Sequence, residues 1–130
     1  MLTFYCPQCW QTIGEESTQC PSCGYLLADY HALSYEDKLL RAIWHPVAER
    51  RLMAIRILGE MRSQTALPDF DMMIQNETLQ EYFLLSELLN AVGKIGGPYS
   101  LEILKAATTH PSLLVRRMAQ EILRSAANLS

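Results

Sequence analysis

Four cysteines near the start of the chain are the residues best suited to chemistry. They form two Cys-x-x-Cys pairs, Cys6 with Cys9 and Cys20 with Cys23, and ten residues separate the pairs. Two such pairs brought together can place four thiolates tetrahedrally about one ion, and zinc suits both that geometry and sulfur ligands. We therefore predict that these four cysteines bind one structural zinc ion, which would supply the folding energy of a segment too small to bury its own core.

Two other uses of the cysteines are open from the sequence. They can form two disulfides, as they do in short secreted domains, or a rubredoxin-like iron site, whose two pairs normally lie much further apart. The first residues of the sequence lack the basic start and long apolar core of a signal peptide. We therefore expect a cytoplasmic chain, in which disulfides are rare.

Catalytic residues are not evident elsewhere in the sequence. A closed site of four thiolates has no open position for a substrate. His45 and His110 each precede a proline, so we interpret both as structural turn residues, and His31 would be a spare ligand beside a site that four cysteines already saturate. The sequence contains no Gly-rich phosphate loop, no serine elbow and no helical His pair. We predict that the chain is not an enzyme.

Charge argues against nucleic acid as a partner. The chain has a formal net charge of -3, and its first basic residue is Lys38. Tyr5, Trp10 and Tyr25 could stack on bases, but no basic residue lies near them in the sequence, and affinity for phosphates needs Lys and Arg. We expect no nucleic acid and no membrane among the partners, and we interpret these aromatic residues as packing surfaces.

The element that organises the rest of the chain is a helix predicted over residues 79–95. Its apolar residues cover most of the helix circumference, so it should be buried among neighbours on several sides. Thr78 with Glu81 forms a capping box at its start, and Gly96-Gly97-Pro98 ends it. Charged and polar residues interrupt the apolar ones, so the helix is not a membrane span.

Further helices are predicted on both sides of this central helix. Hydrophobic periodicity and capping residues place them at residues 35 to about 45, 47–61, about 66–75, 98–108 and about 111–127.

An internal repeat relates these helices. Residues 54–61 align with residues 88–95, so that Gly59 falls on Gly93 at an offset of 34 residues. The sequence His45-Pro46 with Arg51 recurs as His110-Pro111 with Arg116, at an offset of 65 residues. Repeats of about this length with two helices each indicate a helical solenoid.

The cysteine segment resembles the short zinc ribbons of the CPxCG type over residues 6–24, with Trp10 where the first turn usually carries glycine. Residues 35–127 resemble short HEAT repeats of the phycobilisome-lyase type. The residues that carry this resemblance are Arg51-x-x-Ala54-x-x-x-Leu58-Gly59, the segment Ala91–Gly96, and Val115-Arg116-x-x-Ala119. His45 and His110 replace the aspartate usual in that family, and Leu85 replaces the arginine of the middle repeat. The resemblance implies a mainly α chain: a small N-terminal β zinc ribbon, residues 1–30, followed by an α-α HEAT-like solenoid of about six helices, residues 34–130.

These features predict a non-enzymatic module that binds or scaffolds other proteins. One alternative, implied by the family resemblance, is an accessory or lyase-like subunit that handles a chromophore or cofactor; another is a nucleic-acid-associated ribbon protein. The predicted partner-binding residues are Asp69, Met72, Glu102, Leu114, Met118 and Ile122.

The last predicted helix also suggests a contact surface. By alignment it is the first helix of a pair, and its second helix is missing, so its apolar residues should remain partly exposed. We expect a homodimer through this helix or a partner that supplies the missing one. Alternatively, Leu113, Leu129 and a tilted helix cover the apolar side within the chain.

Overall fold

A computed structural model describes residues 4–76 and 81–128 of the chain. Within these residues it contains seven α-helices, one short 3-10 helix at Gln64–Ala66, and a two-stranded sheet, which confirms the predicted mainly helical class with a small N-terminal sheet. The strands are β1, Phe4–Tyr5, and β2, Thr12–Ile13. The helices are α1, Leu27–His31; α2, Tyr35–Ala42; α3, Ala48–Glu60; α4, Leu67–Gln75; α5, Tyr82–Ile95; α6, Pro98–Ala107; and α7, Leu113–Asn128.

The backbone divides into two compact units, Met1–Ala54 and Ile55–Ser130. Helix α3 begins in the first unit and ends in the second. Among the described helices, none combines the length and the apolar character needed to cross a membrane.

The first unit begins with a small antiparallel hairpin. Phe4 pairs with Ile13 and Tyr5 with Thr12, and further along the chain Gln19 forms a single bridge with Leu26. Helix α1 follows this bridge at once; the sequence did not predict it, because five residues are too few for a helical period to be evident.

Helix α2 begins where the sequence places it but ends earlier. Its N-cap is Ser34, whose hydroxyl accepts a hydrogen bond from the Asp37 N–H at 3.1 Å. The prediction ran to residue 45, whereas the helix ends at Ala42. The next turn tightens, because the N–H groups of Trp44 and His45 donate to carbonyls three residues earlier, and the residue before a proline disfavours helical geometry.

Helix α5 is the centre of the second unit, and α4, α6 and α7 all contact it. Its buried side chains are Leu84, Leu85, Leu88, Leu89, Ala91, Val92 and Ile95. The predicted start at residue 79 was wrong: Glu81 has an extended backbone, and its carboxylate accepts hydrogen bonds from the N–H groups of Phe83 and Leu84. Thr78, the predicted cap, lies outside the described residues. Tyr82 and Phe83 are exposed, so the first turn is not buried on all sides.

The repeat-related glycines mark close approaches between helices of this unit. A Cβ added to Gly59 of α3 would lie 3.0 Å from both Cα and Cβ of Ala91 in α5, and one added to Gly93 of α5 would lie 2.8 Å from Cγ2 of Ile122 in α7. Each glycine therefore permits a backbone separation that a larger residue would prevent.

Two ion pairs also join α3 to α5. Arg56 pairs with Glu87 at 2.7 Å, and Lys94 pairs with Glu60. Because the residue numbers rise together along both helices, α3 and α5 run in the same direction.

Candidate metal centre

The first cysteine pair lies in a tight turn between the two strands. The Trp10 N–H donates to the Cys6 carbonyl at 2.8 Å, and the Cys6 N–H donates to the Gln11 carbonyl at 2.9 Å. The Gln8 N–H points at the Cys6 sulfur, 3.4 Å away. The turn thus directs a backbone N–H group at the Cys6 sulfur atom.

The second cysteine pair repeats this geometry fourteen residues later. The Gly24 N–H donates to the Cys20 carbonyl and the Cys20 N–H to the Tyr25 carbonyl, both at 2.9 Å. The Ser22 N–H again lies 3.4 Å from the cysteine sulfur. Gly24 has a φ of 81°, which glycine adopts without steric cost.

The two turns bring the four sulfur atoms together. Cys6 Sγ lies 3.6 Å from Cys23 Sγ, Cys9 Sγ lies 3.7 Å from Cys20 Sγ, and all four ligand atoms are within 4.8 Å of one another. Tetrahedral ligands at a Zn–S distance of about 2.3 Å would be about 3.8 Å apart. A disulfide requires about 2.05 Å between sulfur atoms, and all four thiols are free. The arrangement therefore suits one metal ion and contains no disulfide.

The thiols of the cluster differ in how readily they ionise. A hydrogen bond from the Cys23 backbone is the largest influence on Cys20 and lowers the pKa of that thiol to about 6. The backbone hydrogen bond from Tyr25 acts in the same sense on Cys23, but desolvation and the other three cysteines outweigh it and raise the pKa of Cys23 to about 12. One thiol ionises readily and another resists, because neighbouring thiolates repel. A divalent cation would remove this repulsion.

Trp10 occupies the position that Gly24 has in the second turn, and it adopts the same left-handed conformation, with φ of 63°. A non-glycine residue there costs about 1–2 kcal/mol. Its ring is held by His45, whose centroid lies 4.9 Å from that of Trp10 and 5.0 Å from that of Tyr5. The packing contact between the Trp10 ring and His45 therefore offsets the strain of the left-handed backbone at residue 10.

His45 is structural in this arrangement. It is buried, and desolvation, followed by the charges of Arg50 and Arg51, lowers its pKa. Its Nδ1 accepts a hydrogen bond from the Val47 N–H at 3.0 Å. The imidazole is thus neutral near pH 7 and fixed by its own turn.

The His-Pro turn of His45 recurs at His110 with the same contacts. Arg51 Nη1 donates to the His45 carbonyl at 2.9 Å, and Arg116 Nη1 donates to the His110 carbonyl at 2.8 Å. Each arginine also reaches the carbonyl of the intervening proline, and Nδ1 of His110 accepts from the Ser112 N–H at 3.0 Å. Both histidines are therefore turn residues, as their position before a proline predicted.

The third histidine does not join the metal centre. His31 is exposed and packs edge-on against Tyr30. Among the described residues, the four cysteines form a cluster of ligand atoms that does not include it.

Two basic residues of α2 contact aromatic side chains of the first unit, and one of them, Arg41, also supports the first cysteine turn. These contacts were not predicted from the sequence. Arg41 donates to the Gln8 side-chain oxygen at 2.9 Å and to the Pro7 carbonyl at 3.4 Å, and its guanidinium lies 5.2 Å from the centre of the Tyr25 ring. Lys38 Nζ lies 5.3 Å from the centre of the Tyr30 ring. The one available signal was their spacing of three residues, which puts both on one helix face.

The predicted partner-binding residues lie on three helices. Asp69 and Met72 belong to α4, Glu102 to α6, and Leu114, Met118 and Ile122 to α7. Met72, Glu102 and Leu114 are exposed, whereas the other three are half-buried. Desolvation raises the pKa of Asp69.

Comparison with known proteins identifies no relative. No family model matches the sequence, and no curated protein and no solved structure matches the chain.

Proposed function

We propose that the chain is a non-enzymatic protein-binding module built from a zinc ribbon and a short HEAT-like solenoid. The cluster of four free thiols supports a tetrathiolate site, and zinc is the ion that prefers such a closed tetrahedral set. Free thiols of this kind persist in a reducing compartment, and we therefore place the protein in the cytoplasm.

Repeated contacts support the solenoid. The equivalent glycines Gly59 and Gly93 each permit a close approach to the next helix of the series, α3 to α5 and α5 to α7. The His-Pro turns before α3 and α7 use the same hydrogen bonds. Contacts that recur with the sequence period are what stacked repeats require.

In this proposal, a groove in the second unit binds the partner protein. It has a volume of about 620 Å³ and lies between α4 and α6, with the turn before α7 at one end. Ile103 and Ala107 contribute apolar surface, and Asp71 adds an acidic edge. The exposed Met72 lines an adjoining depression, which shares Asp71 and Gln75 with the groove. An apolar floor with a flexible methionine beside it accommodates varied partner side chains. A partner segment with apolar residues next to a basic one fits this chemistry.

Site-specific photocrosslinking in the native cell tests this role. A photoreactive phenylalanine analogue replaces Met72, and the control carries the same analogue at exposed Tyr35 on α2. We expect one discrete crosslinked partner from position 72 and none from position 35. Replacing Asp71 with Asn in the crosslinking variant should weaken the product. Crosslinking at both positions to the same mixture of proteins would contradict a dedicated binding groove.

We also propose that α7 mediates self-association. Leu113 and Leu114 are 50% and 54% exposed, and Met118 and Ile122 are half-buried on the same helix. Light scattering should give a dimer whose mass falls to that of a monomer in Leu114→Glu. A monomer at all concentrations, with no change in that variant, would refute this contact.

A further inference from the structure

A cavity of about 400 Å³ lies within the first unit, apart from the groove described above. This volume is in the range of small-molecule sites. Its walls include the rings of Tyr5, Trp10 and Tyr30, all half-buried, so each offers both a packed side and an accessible side. Aromatic walls of this kind bind planar groups by stacking.

Three cations line the same cavity: Lys38 and Arg41 from α2, and Arg50 from α3. Within the part of the chain that the structure describes, none of the three lies within ion-pair distance of a carboxylate; the two ion pairs found there join other residues. Glu15 is the acidic residue of the lining, and His45 is neutral. The cavity is therefore locally positive in a chain whose net charge is -3.

We propose that this cavity binds a small organic anion that carries one planar ring system and one phosphate or carboxylate group. The ring would stack on the aromatic walls, and the anion would lie against Lys38 and Arg50, from which a carboxylate or phosphate accepts charge-assisted hydrogen bonds. A ring without an anion would leave the cations unpaired, and an anion without a ring would leave the aromatic walls in water. Both parts are needed for tight binding.

Arg41 also supports the first cysteine turn, so the variants that test binding are made at Lys38 and Arg50 instead. It already donates to Gln8 and Pro7 and stacks on Tyr25, so replacing it would disturb the cysteine turns. Lys38 and Arg50 make no such bond to the turns in the described chain and can be changed separately. Lys38→Gln and Arg50→Gln remove a charge and keep most of the side-chain length.

Calorimetric titration of the metal-loaded full chain tests the proposal. The ligands are adenosine 5′-monophosphate, a ring with a phosphate, and 2-naphthoate, a ring with a carboxylate; adenosine and inorganic phosphate are the half-ligands. We expect saturable binding of at least one complete ligand, and affinity at least tenfold weaker for the half-ligands.

Variants locate the binding. Lys38→Gln and Arg50→Gln should each weaken it by about tenfold or more, and Lys38→Arg should retain it, which separates lost charge from lost folding. Lys105→Gln, at an exposed lysine of α6, should leave it unchanged. In a Trp44→Phe background, the ligand should quench the fluorescence of Trp10. Failure of both complete ligands to saturate, or unchanged affinity in the double variant of Lys38 and Arg50, would overturn the proposal without bearing on the groove of the second unit.

Discussion

Replacing Gly59 with alanine should destabilise the second unit, although alanine is the better helix former. The added Cβ would lie 3.0 Å from Cα and Cβ of Ala91, and a backbone atom cannot rotate away as a side chain can. Overpacking of this kind costs ~1–3 kcal/mol, and the upper half of that range applies because the clash includes backbone. The gain in helix propensity is about 1 kcal/mol. The net loss is therefore ~1–2 kcal/mol.

Thermal unfolding followed by circular dichroism measures this loss, and we expect Tm to fall by roughly 4–16 °C, since each kcal/mol shifts the Tm of a unit of this size by about 4–8 °C. Gly93→Ala is the matched control: its Cβ would meet the Cγ2 methyl of Ile122, a half-buried side chain that can shift. Gly93→Ala should therefore cost less, and Ile122→Ala should cost less in the Gly93→Ala background than alone. A higher Tm for Gly59→Ala than for the unmodified chain would refute the close approach of α3 and α5.

Three further predictions concern the first unit and the His-Pro turns. In calorimetry, the free energy of unfolding of Trp10→Gly should exceed that of Trp10→Ala by ~1–2 kcal/mol, because both variants lose the ring and only glycine avoids the cost of the left-handed backbone. Equal free energies of unfolding would contradict the strain at φ 63°. Arg116→Met should lower the free energy of unfolding in urea by ~1–3 kcal/mol, because two carbonyls lose their donor, whereas exposed Arg117→Met should not. The pKa of Cys20 is lowered from 9.0 to about 6, so the thiolate that would bind the metal is lost as pH falls through about 6. Protons compete with the metal in the same direction, so metal content measured after dialysis should decrease on acidification; retention independent of pH would contradict thiolate ligation.

The sequence predicted the elements whose signals are periodic and local. Helices α3, α4, α5 and α6 were each expected within a few residues of their observed bounds, because apolar spacing and terminal prolines or glycines mark them. The four cysteines were grouped correctly from spacing alone, since two Cys-x-x-Cys turns have few other arrangements. What the spacing cannot specify is the identity of the metal.

Features that depend on tertiary contacts were missed. Trp10 was recognised as an unusual residue, but its positive φ and its contact with His45 need the folded unit. No basic residue lies near Tyr25 along the sequence, but α2 brings the Arg41 guanidinium to 5.2 Å from the centre of the Tyr25 ring. The start of α5 was misplaced because a glutamate at position 81 fits two roles. It can lie in the first turn as the partner of Thr78 in a capping box, or it can be the N-cap itself, which is its role in the structure.

Metal analysis of the purified chain tests the central claim most directly. The protein is prepared under reducing conditions without chelator, and zinc is quantified against protein by elemental mass spectrometry. The account predicts about one zinc ion per chain, lost in Cys20→Ser together with the ordered first unit, while the helical signal of the second unit largely remains. Intact disulfides between Cys6, Cys9, Cys20 and Cys23, with no bound metal, would contradict it.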